Sequence, residues 1–136
     1  MREDDNRQVI EEFRAHGGVM GGALAGTPLL LLTVTGAQTS RPRTVPMAYL
    51  DDAGRRLVVA SNLGAPRHPD WYYSLVAHPD VSVEVGDETY GANAIALRGD
   101  ERDQAFARCV ERFPFLADHQ ARAGRLIPVI ALVRQR

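Results

Sequence analysis

Residues 28–71 decide the fold and read PLLLLTVTGAQTSRPRTVPMAYLDDAGRRLVVASNLGAPRHPDW. Three apolar or β-branched runs in this stretch are typical of strands, and each is followed by a turn or loop rich in Gly, Pro or polar residues. The runs are Leu29–Thr35, 43–50 and 56–61. Because the loops at 36–43 and 62–71 flank the predicted sheet, we expect one groove, basic at the first loop and aromatic at the second.

The length and composition of the chain are those of one globular domain. Its 136 residues are 45% hydrophobic and 24% charged, ordinary values for this class. A chain of this length can bury roughly two thirds of the surface that it exposes when unfolded. We expect one barrel domain over residues 1–136, with an N-terminal helix and Gly-rich connection at 1–27 and a barrel with helices at 28–136.

Charge and cysteine content bear on partners and compartment. The formal net charge of −1 offers no general attraction to nucleic acid or to acidic membranes, so an anion would have to bind at a local cluster, for which Arg41, Arg43 and Arg67 are the candidates. The lone Cys109 cannot form an intramolecular disulfide, which suits a reducing cytoplasm. Residues 1–5 are acidic and no apolar region follows them, so we expect no signal peptide. The apolar run at 28–32 is too short for a transmembrane segment.

Periodicity predicts about six strands and three or four short helices. The strands are expected at Leu29–Thr35, 44–50, 57–60, 81–85, 88–97 and 127–133, and the helices at about 5–15, 71–77, 100–112 and up to about 123. The first strand is apolar enough to be buried on both faces, and the hairpin signal at 51–54 would join the second and third strands in a meander. These elements favour an α+β fold, a small closed or split barrel of mostly antiparallel strands.

Local signals also predict how three helices begin. Asp4 or Asp5 is expected to cap the first helix and Asp100 the third, because a short carboxylate can accept from the unpaired N–H groups of the first turn. Pro69 is expected at the first position of the second helix, where its missing N–H costs nothing.

The turn at 36–43 is the first candidate binding site. It offers backbone N–H groups, the hydroxyls of Thr39 and Ser40, and the guanidinium groups of Arg41 and Arg43 on either side of a proline. Arginine forks match phosphate oxygens in a bidentate way, so the turn predicts a phosphate or carboxylate ligand. The alternative is a solvated hairpin loop with two surface arginines.

The segment at 61–64 is the second candidate site. It ends a buried strand in a small loop whose glycine would let a planar heterocycle approach the backbone; the alternative is a strand-to-helix connector. At helical spacing no more than two of Trp71, Tyr72 and Tyr73 face the same way, so we expect one in the core and another along the groove. None of the four histidines has a second His or Cys two to four residues away, and we expect no metal site.

Several blocks of the sequence together resemble one known family. They are the strand Leu29–Thr35, the motif Gly-x-x-(Thr/Ser)-x-x-Pro-Arg at 36–43, Ala60-Ser61-Asn62, Gly-Ala-Pro-Arg-His-Pro-x-Trp-Tyr at 64–72, Ala77-His78-Pro79 and Val85-Gly86. From about residue 7 to residue 134 the chain resembles the deazaflavin-dependent nitroreductase family. The resemblance implies a split β-barrel of the FMN-binding type and coenzyme F420, a deazaflavin with a phosphate and a polyglutamate tail.

The resemblance also assigns roles to residues. Positions 38–43 would hold the phosphate, 61–64 would meet the deazaflavin ring and Trp71 would border the pocket. The implied cofactor-binding set is Gln38, Thr39, Ser40, Arg41, Pro42, Arg43, Pro46, Ala60, Ser61, Asn62, Leu63, Gly64 and Trp71. Family members carry Lys where this chain has Gln38 and Gly where it has Ser40. Phe113, Leu116 and His119 would line the substrate pocket, where some members place tyrosines.

The implied reaction is hydride transfer from reduced F420 to an electron-poor small molecule such as a nitroarene, a quinone or an activated alkene. His119 is the candidate proton donor, because imidazole ordinarily titrates near neutrality; the alternative is a half-exposed helix histidine. Two other functions stay open from the sequence: a non-catalytic carrier of a deazaflavin or apolar ligand, and a reductase that binds FMN. A homodimer stays open as the assembly.

Overall fold

The structure is a computed structural model that describes residues 3–135, with side chains from residue 6 onward. Its helices are α1 Glu3–Ala15, α2 Asp70–Ala77, α3 Gly99–Arg112 and α4 Phe115–Ala123. Its strands are β1 Leu29–Thr35, β2 Pro42–Ala48, β3 Leu50–Asp52, β4 Arg55–Val59, β5 Asp80–Val85, β6 Glu88–Ala96 and β7 Val129–Arg134. These strands form one antiparallel sheet in the order β2-β1-β5-β6-β7-β4-β3.

The two edge strands of this sheet are joined by a single residue. β2 pairs with β1 and β3 pairs with β4, yet only Tyr49 separates β2 from β3 in the sequence. Residues 48 and 50 therefore lie within about 7 Å of each other, whereas the edges of a flat seven-stranded sheet would be roughly 28 Å apart. The sheet has to curl until its edges meet at Tyr49. The expected α+β fold with a split β-barrel is confirmed.

Tyr49 also accounts for the main difference from the predicted topology. We expected one strand at 44–50 and a meander, but the strand is interrupted at Tyr49. The hairpin at 53–54 therefore joins β3 to β4, and among the described strands β2 pairs with β1 alone. The count is seven strands instead of about six. The physical reason is that the chain turns a corner between sheet edges, and a corner interrupts a strand ladder.

The predicted helix starts were partly wrong. Arg98 occupies the N-cap of α3 without a side-chain capping bond, and Asp100 lies in the first turn, where its charge still favours the helix N-terminus. Pro69 is the N-cap of α2, which begins one residue later. The predicted caps Asp4 and Asp5 carry side chains outside the described residues.

The core has layers on both faces of the curled sheet. Leu30, Leu32 and Val34 face the barrel interior, while Leu31 faces α1 and packs on Phe13, and all are at most 1% exposed. This confirms that the first strand is buried on both faces. On the outside of β4 and β7, helices α3 and α4 cover a second apolar cluster made of Leu57, Leu97, Ala105, Cys109, Phe113, Leu116, Val129 and Ala131. Burial there raises the pKa of the Cys109 thiol to about 11, so it stays protonated and serves packing.

Helix α1 is fastened to the β5–β6 hairpin at its C-terminal end. Arg14 donates to both carboxylate oxygens of Glu84, at 3.0 and 2.8 Å. The chain then passes so close to the hairpin that a Cβ atom at Gly18 would lie 2.9 Å from the Cα of Gly86. Glycine at position 18 therefore permits a close approach as well as a left-handed backbone.

Gly18→Ala should lower the free energy of unfolding by roughly 1–3 kcal/mol more than Gly22→Ala, the cost of overpacking. Both positions have positive φ, +85° and +61°, so both variants bear similar backbone strain. A Cβ at position 22 meets nothing within 4 Å. Urea unfolding of the two variants measures the difference, and equal losses would show that contact between residues 18 and 86 does not hold α1 in place.

Candidate functional site

Strands β1 and β4 end at the same rim of the barrel. Four antiparallel pairings separate them in the sheet, so the two strands run in the same direction. The turn after β1 and the loop after β4 therefore leave the barrel at one end. The structure thus places both candidate binding segments on a common rim, as the expected groove requires.

The turn after β1 is exposed and held by its own hydrogen bonds. The Gly36 N–H donates to the Arg41 carbonyl at 2.8 Å, and the Ser40 N–H donates to the Gly36 carbonyl at 2.9 Å. The Arg41 N–H donates to Thr39 Oγ1 at 3.3 Å. Three of the backbone N–H groups that the turn was expected to offer to an anion are therefore used inside the turn. The side chains of 38–43 remain exposed.

The basic residues of the predicted site have different surroundings. Among the described residues, neither Arg41 nor Arg43 forms an ion pair. Arg43 pairs across the ladder with Val34 on the interior face of the sheet. Pro46 is buried on the opposite face of β2 and pairs with Leu31, so the structure does not bring it together with Arg43.

The loop after β4 has a left-handed backbone that residues other than glycine rarely adopt. Asn62, Leu63 and Gly64 have φ angles of 49°, 56° and 78°. A leucine in this conformation costs roughly 1–2 kcal/mol, and the Leu63 side chain is in addition 72% exposed. Strain of this kind persists where the surrounding structure imposes it, and it is concentrated at functional sites. The geometry favours a binding loop over a simple connector.

Two arginines at the end of α4 hold this loop by its carbonyl groups. The carbonyl oxygens at positions 60, 61 and 65 accept from the Arg125 guanidinium at 2.9–3.3 Å. Arg122 donates to the Leu63 carbonyl at 3.3 Å, and the carbonyl at 62 accepts from the N–H at 65. The carbonyl acceptors at 60–63 and 65 are therefore occupied by the protein itself.

Unlike the carbonyl groups, three N–H groups of the same loop have no hydrogen-bond partner in the described part of the chain. Those of Ser61, Asn62 and Leu63 donate to no acceptor within the described part of the chain. Ser61 is right-handed and Asn62 follows with positive φ, an order that turns successive N–H groups toward one side and creates a concave anion-binding site. The loop thus offers donors to a ligand that carries carbonyl or phosphate oxygens.

His119 meets this loop from α4. Its side chain is 8% exposed, its Nδ1 lies 3.3 Å from Ser61 Oγ, and the ring of Phe115 is 5.2 Å away between centroids. The helix backbone is so close that a Cβ at Gly64 would lie 3.0 Å from the His119 Cα. The structure therefore joins the candidate proton donor to the candidate ring-binding loop, and the histidine is buried instead of half-exposed.

The other two residues expected in the substrate pocket are buried. Phe113 and Leu116 are 8% and 4% exposed and belong to the core cluster beneath α3. Phe115, which we did not select, is 53% exposed beside His119. Residues four apart share a helix face, so the spacing from 115 to 119 was the available signal. Trp71 is half-buried against the barrel core, consistent with a place at the border of the pocket.

A family model described as F420H(2)-dependent quinone reductase matches residues 5–134. The chain belongs to this family. The F420H(2)-dependent quinone reductase Rv1261c of Mycobacterium tuberculosis is 37% identical over 127 residues, which cover 90% of this chain and 85% of that protein. The resemblance to deazaflavin-dependent reductases is confirmed, although the family name specifies quinones and not nitro compounds.

Solved structures agree with the family. The structure of an F420-H2 dependent reductase (FDR-A) is 39% identical, has a TM-score of 0.71 and covers 77% of this chain and 93% of its own. A structure described as a domain-swapped dimer is 35% identical, has a TM-score of 0.74 and covers 95% of both chains. As a member of the F420H(2)-dependent quinone reductase family, this chain is an F420-dependent oxidoreductase, and coenzyme F420 is its cofactor.

The donors on the rim fit this cofactor. F420 carries a phosphate and an oxygen-bearing ring, and the rim presents three unpaired N–H groups and two arginines without an ion pair in the described chain. Among the described side chains, no cluster of three or more His, Cys, Asp or Glu is placed to bind a metal ion. The helices of the described chain are also too short or too polar to span a bilayer.

Sequence reasoning missed Arg122, Arg125 and His68. Arg125 donates to His68 Nδ1 at 2.8 Å, and the His68 ring packs 4.5 Å from that of Tyr72. The partners of both arginines are atoms about sixty positions away, so no spacing could reveal them. Arg67, which the sequence left as a possible anion ligand, is paired with Asp70 at 2.8 Å.

Ser40→Gly should raise the free energy of unfolding by about 0.5–1 kcal/mol. Ser40 has a φ of 59°, a left-handed conformation that glycine adopts without steric cost. Gln38→Gly is the matched control, because Gln38 lies in the same exposed turn without a positive φ and should lose stability through chain entropy. Thermal unfolding measures both, and a loss in both variants would contradict strain at Ser40.

Proposed function

We propose that this chain transfers a hydride from reduced F420, bound on the rim, to a quinone or another electron-poor acceptor such as a nitroarene or activated alkene. The observation that carries the proposal is the 61–64 loop. Its carbonyls at 61 and 63 accept from arginines and the carbonyl at 62 accepts from the N–H of residue 65, while three of its N–H groups are left for a ligand. Family membership identifies the cofactor class that these donors would bind.

The chain's residues would divide the work of binding. Arg41 and Arg43 would hold the phosphate as charged donors, and the N–H groups of 61–63 would bind oxygens of the ring. Trp71, half-buried on the barrel core, would limit the pocket on one side. Gln38 supplies no cation, so the two arginines would have to supply the charge that Lys provides in other family members.

His119 would supply the proton. When bound, reduced F420 provides a hydride, and a quinone that accepts it needs one further proton to become a quinol. Ser61 Oγ lies 3.3 Å from Nδ1 of His119, so this ring nitrogen has a protein partner and Nε2 is left to exchange a proton with the acceptor. The exposed Phe115 ring beside it offers an apolar face to an aromatic acceptor.

The assembly is a second part of the proposal. A homodimer is supported by the solved neighbour described as a domain-swapped dimer, which is 35% identical and covers 95% of this chain. The pairing of two copies would also cover the exposed Ile95 and Val133 on the sheet.

Titration of the purified protein with oxidised F420 and, separately, with FMN tests the cofactor. We expect micromolar or tighter F420 binding with much weaker FMN binding, and a loss of about 1.5–3 kcal/mol of F420 affinity in Arg43→Ala if a charged hydrogen bond to phosphate is removed. Arg7→Ala on the exposed face of α1 is the control. Binding of neither cofactor would contradict the proposed function, and tighter FMN binding would identify an FMN reductase.

His119→Gln should lower kcat for quinone reduction at least roughly a hundredfold, the usual contribution of a positioned proton donor, and leave the Kd for F420 nearly unchanged. His16→Gln is the control, because His16 is exposed at the end of α1. Steady-state kinetics and thermal unfolding of both variants separate lost chemistry from lost folding. An unchanged kcat would remove His119 from catalysis, and tight F420 binding without turnover in the wild type would identify a carrier.

A further inference from the structure

Arg125 holds the candidate ring-binding loop by its carbonyl groups, and all three nitrogens of its guanidinium donate to acceptors of the protein. We propose that Arg125 is the positioning residue of the 61–64 loop, and that its hold on the loop requires a neutral His68. The proposal rests on the proposed function of the loop and adds two residues to it. The Arg125 guanidinium and the His68 ring together fix the loop conformation, and with it the directions in which the loop N–H groups point.

The geometry gives Arg125 more than one hold on the same loop. Its Nε donates to the carbonyl at 65 at 3.0 Å, and its Nη2 donates to the carbonyl at 61 at 2.9 Å. Both terminal nitrogens also reach the carbonyl at 60, at 3.3 Å. The planar fork of arginine can serve several carbonyls in fixed directions, whereas a lysine ammonium cannot reproduce this arrangement. Gly124, with a φ of +66°, ends α4 and lets the chain turn directly before Arg125.

His68 completes the arrangement from the other side of the guanidinium. Nη1 of Arg125 lies 2.8 Å from Nδ1 of His68. Since a guanidinium only donates, Nδ1 must carry a lone pair and the ring must be neutral, with its proton on Nε2. The ring is fixed by Tyr72 and Tyr73, at centroid distances of 4.5 and 5.6 Å. His68 is therefore oriented as an acceptor for Arg125.

The charges around His68 oppose its protonation. Arg125 faces it directly, Arg67 precedes it, and Asp70 of α2 is already paired with Arg67 at 2.8 Å. From α2, the rings of Tyr72 and Tyr73 pack against it. Burial and the charge of Arg125 lower the pKa of His68 below its ordinary value of 6.5.

The sign of the pH effect follows from this lowered pKa. A group held neutral in the folded state stabilises it fully above the ordinary value, and this contribution is lost as the pH falls through 6.5 toward the folded-state value. Protonation would remove the acceptor from Arg125 and place two cations in contact. The loop carbonyls would then lose part of their hold, and the N–H groups at 61–63 would bind F420 less tightly.

The first test compares Arg125→Lys with Arg7→Lys, which keeps the charge and lies on the exposed face of α1. We expect Arg125→Lys to weaken F420 binding roughly tenfold to a hundredfold, the effect of losing a charged hydrogen bond that shapes the site, and Arg7→Lys to leave it unchanged. Wild-type F420 affinity and far-UV circular dichroism are measured alongside. A folded Arg125→Lys variant that binds F420 as the wild type does would overturn the positioning role.

The second test uses His68→Asn, whose side-chain oxygen can replace Nδ1 as acceptor without titrating, together with His68→Ala. Between about pH 7.5 and about pH 4.5, a range that extends below the ordinary titration of histidine because the pKa of His68 is lowered, we expect wild-type F420 affinity to fall roughly tenfold more than that of His68→Asn. His68→Ala should be weak at both pH values. Titration of F420 itself affects all variants equally, so the comparison isolates His68, and His16→Asn should behave as the wild type.

The outcomes separate this inference from the proposed function. If the wild type does not bind F420 at neutral pH, the proposed function fails and the inference fails with it. If the wild type binds F420 but His68→Asn shows the same loss of affinity in acid, the inference about His68 is wrong while the proposed function stands. If His68 had a merely structural role, both substitutions would lower the stability of the protein, and His68→Asn would not restore F420 affinity.

Discussion

The closure of the sheet at Tyr49 is the constraint on which the rest of the structure depends. One residue joins the two edge strands β2 and β3, so seven strands have to curl into a barrel instead of lying flat. Curling places β1 and β4 with their ends on one rim, and it leaves the outer face of the sheet to α1, α3 and α4. The two candidate binding segments lie on the same rim because of this topology, although residues 44–60 separate them along the chain.

Arginine side chains bound to backbone carbonyls stabilise the loops around the site. All sixteen cationic residues of the chain are arginines, and three of them bind carbonyls near α4. Arg122 and Arg125 donate to carbonyls of the 60–65 loop, and Arg102 donates to the Ile127 carbonyl at 2.7 Å. Arg102 is 5% exposed and also contacts Gln120, the neighbour of His119. Helix α4 is therefore held at both sides, and the position of His119 depends in part on arginines that bind backbone carbonyls.

The candidate binding loop at 61–64 is the part of the barrel where local and global preferences disagree. Asn62 and Leu63 have positive φ, which a short peptide of this sequence would rarely adopt. The strain is offset by the carbonyl bonds to Arg122 and Arg125, and the result is a loop with spare donors and no spare acceptors at 60–63. Such a loop suits an oxygen-rich ligand. Because the Arg125 guanidinium that stabilises the strained loop also donates to His68, protonation of His68 would change the loop.

The sequence by itself determined the strand and helix positions within a few residues, the burial of β1 on both faces, and the two segments of the candidate site, because these depend on periodicity and on Gly, Pro and Arg in local patterns. It did not show the corner at Tyr49, the burial of Phe113 and Leu116, or the bonds of Arg125, since each depends on atoms far away in the chain. Only the tertiary structure decided which donors remain free for a ligand, because hydrogen-bond satisfaction is a property of the packed molecule and not of a local pattern.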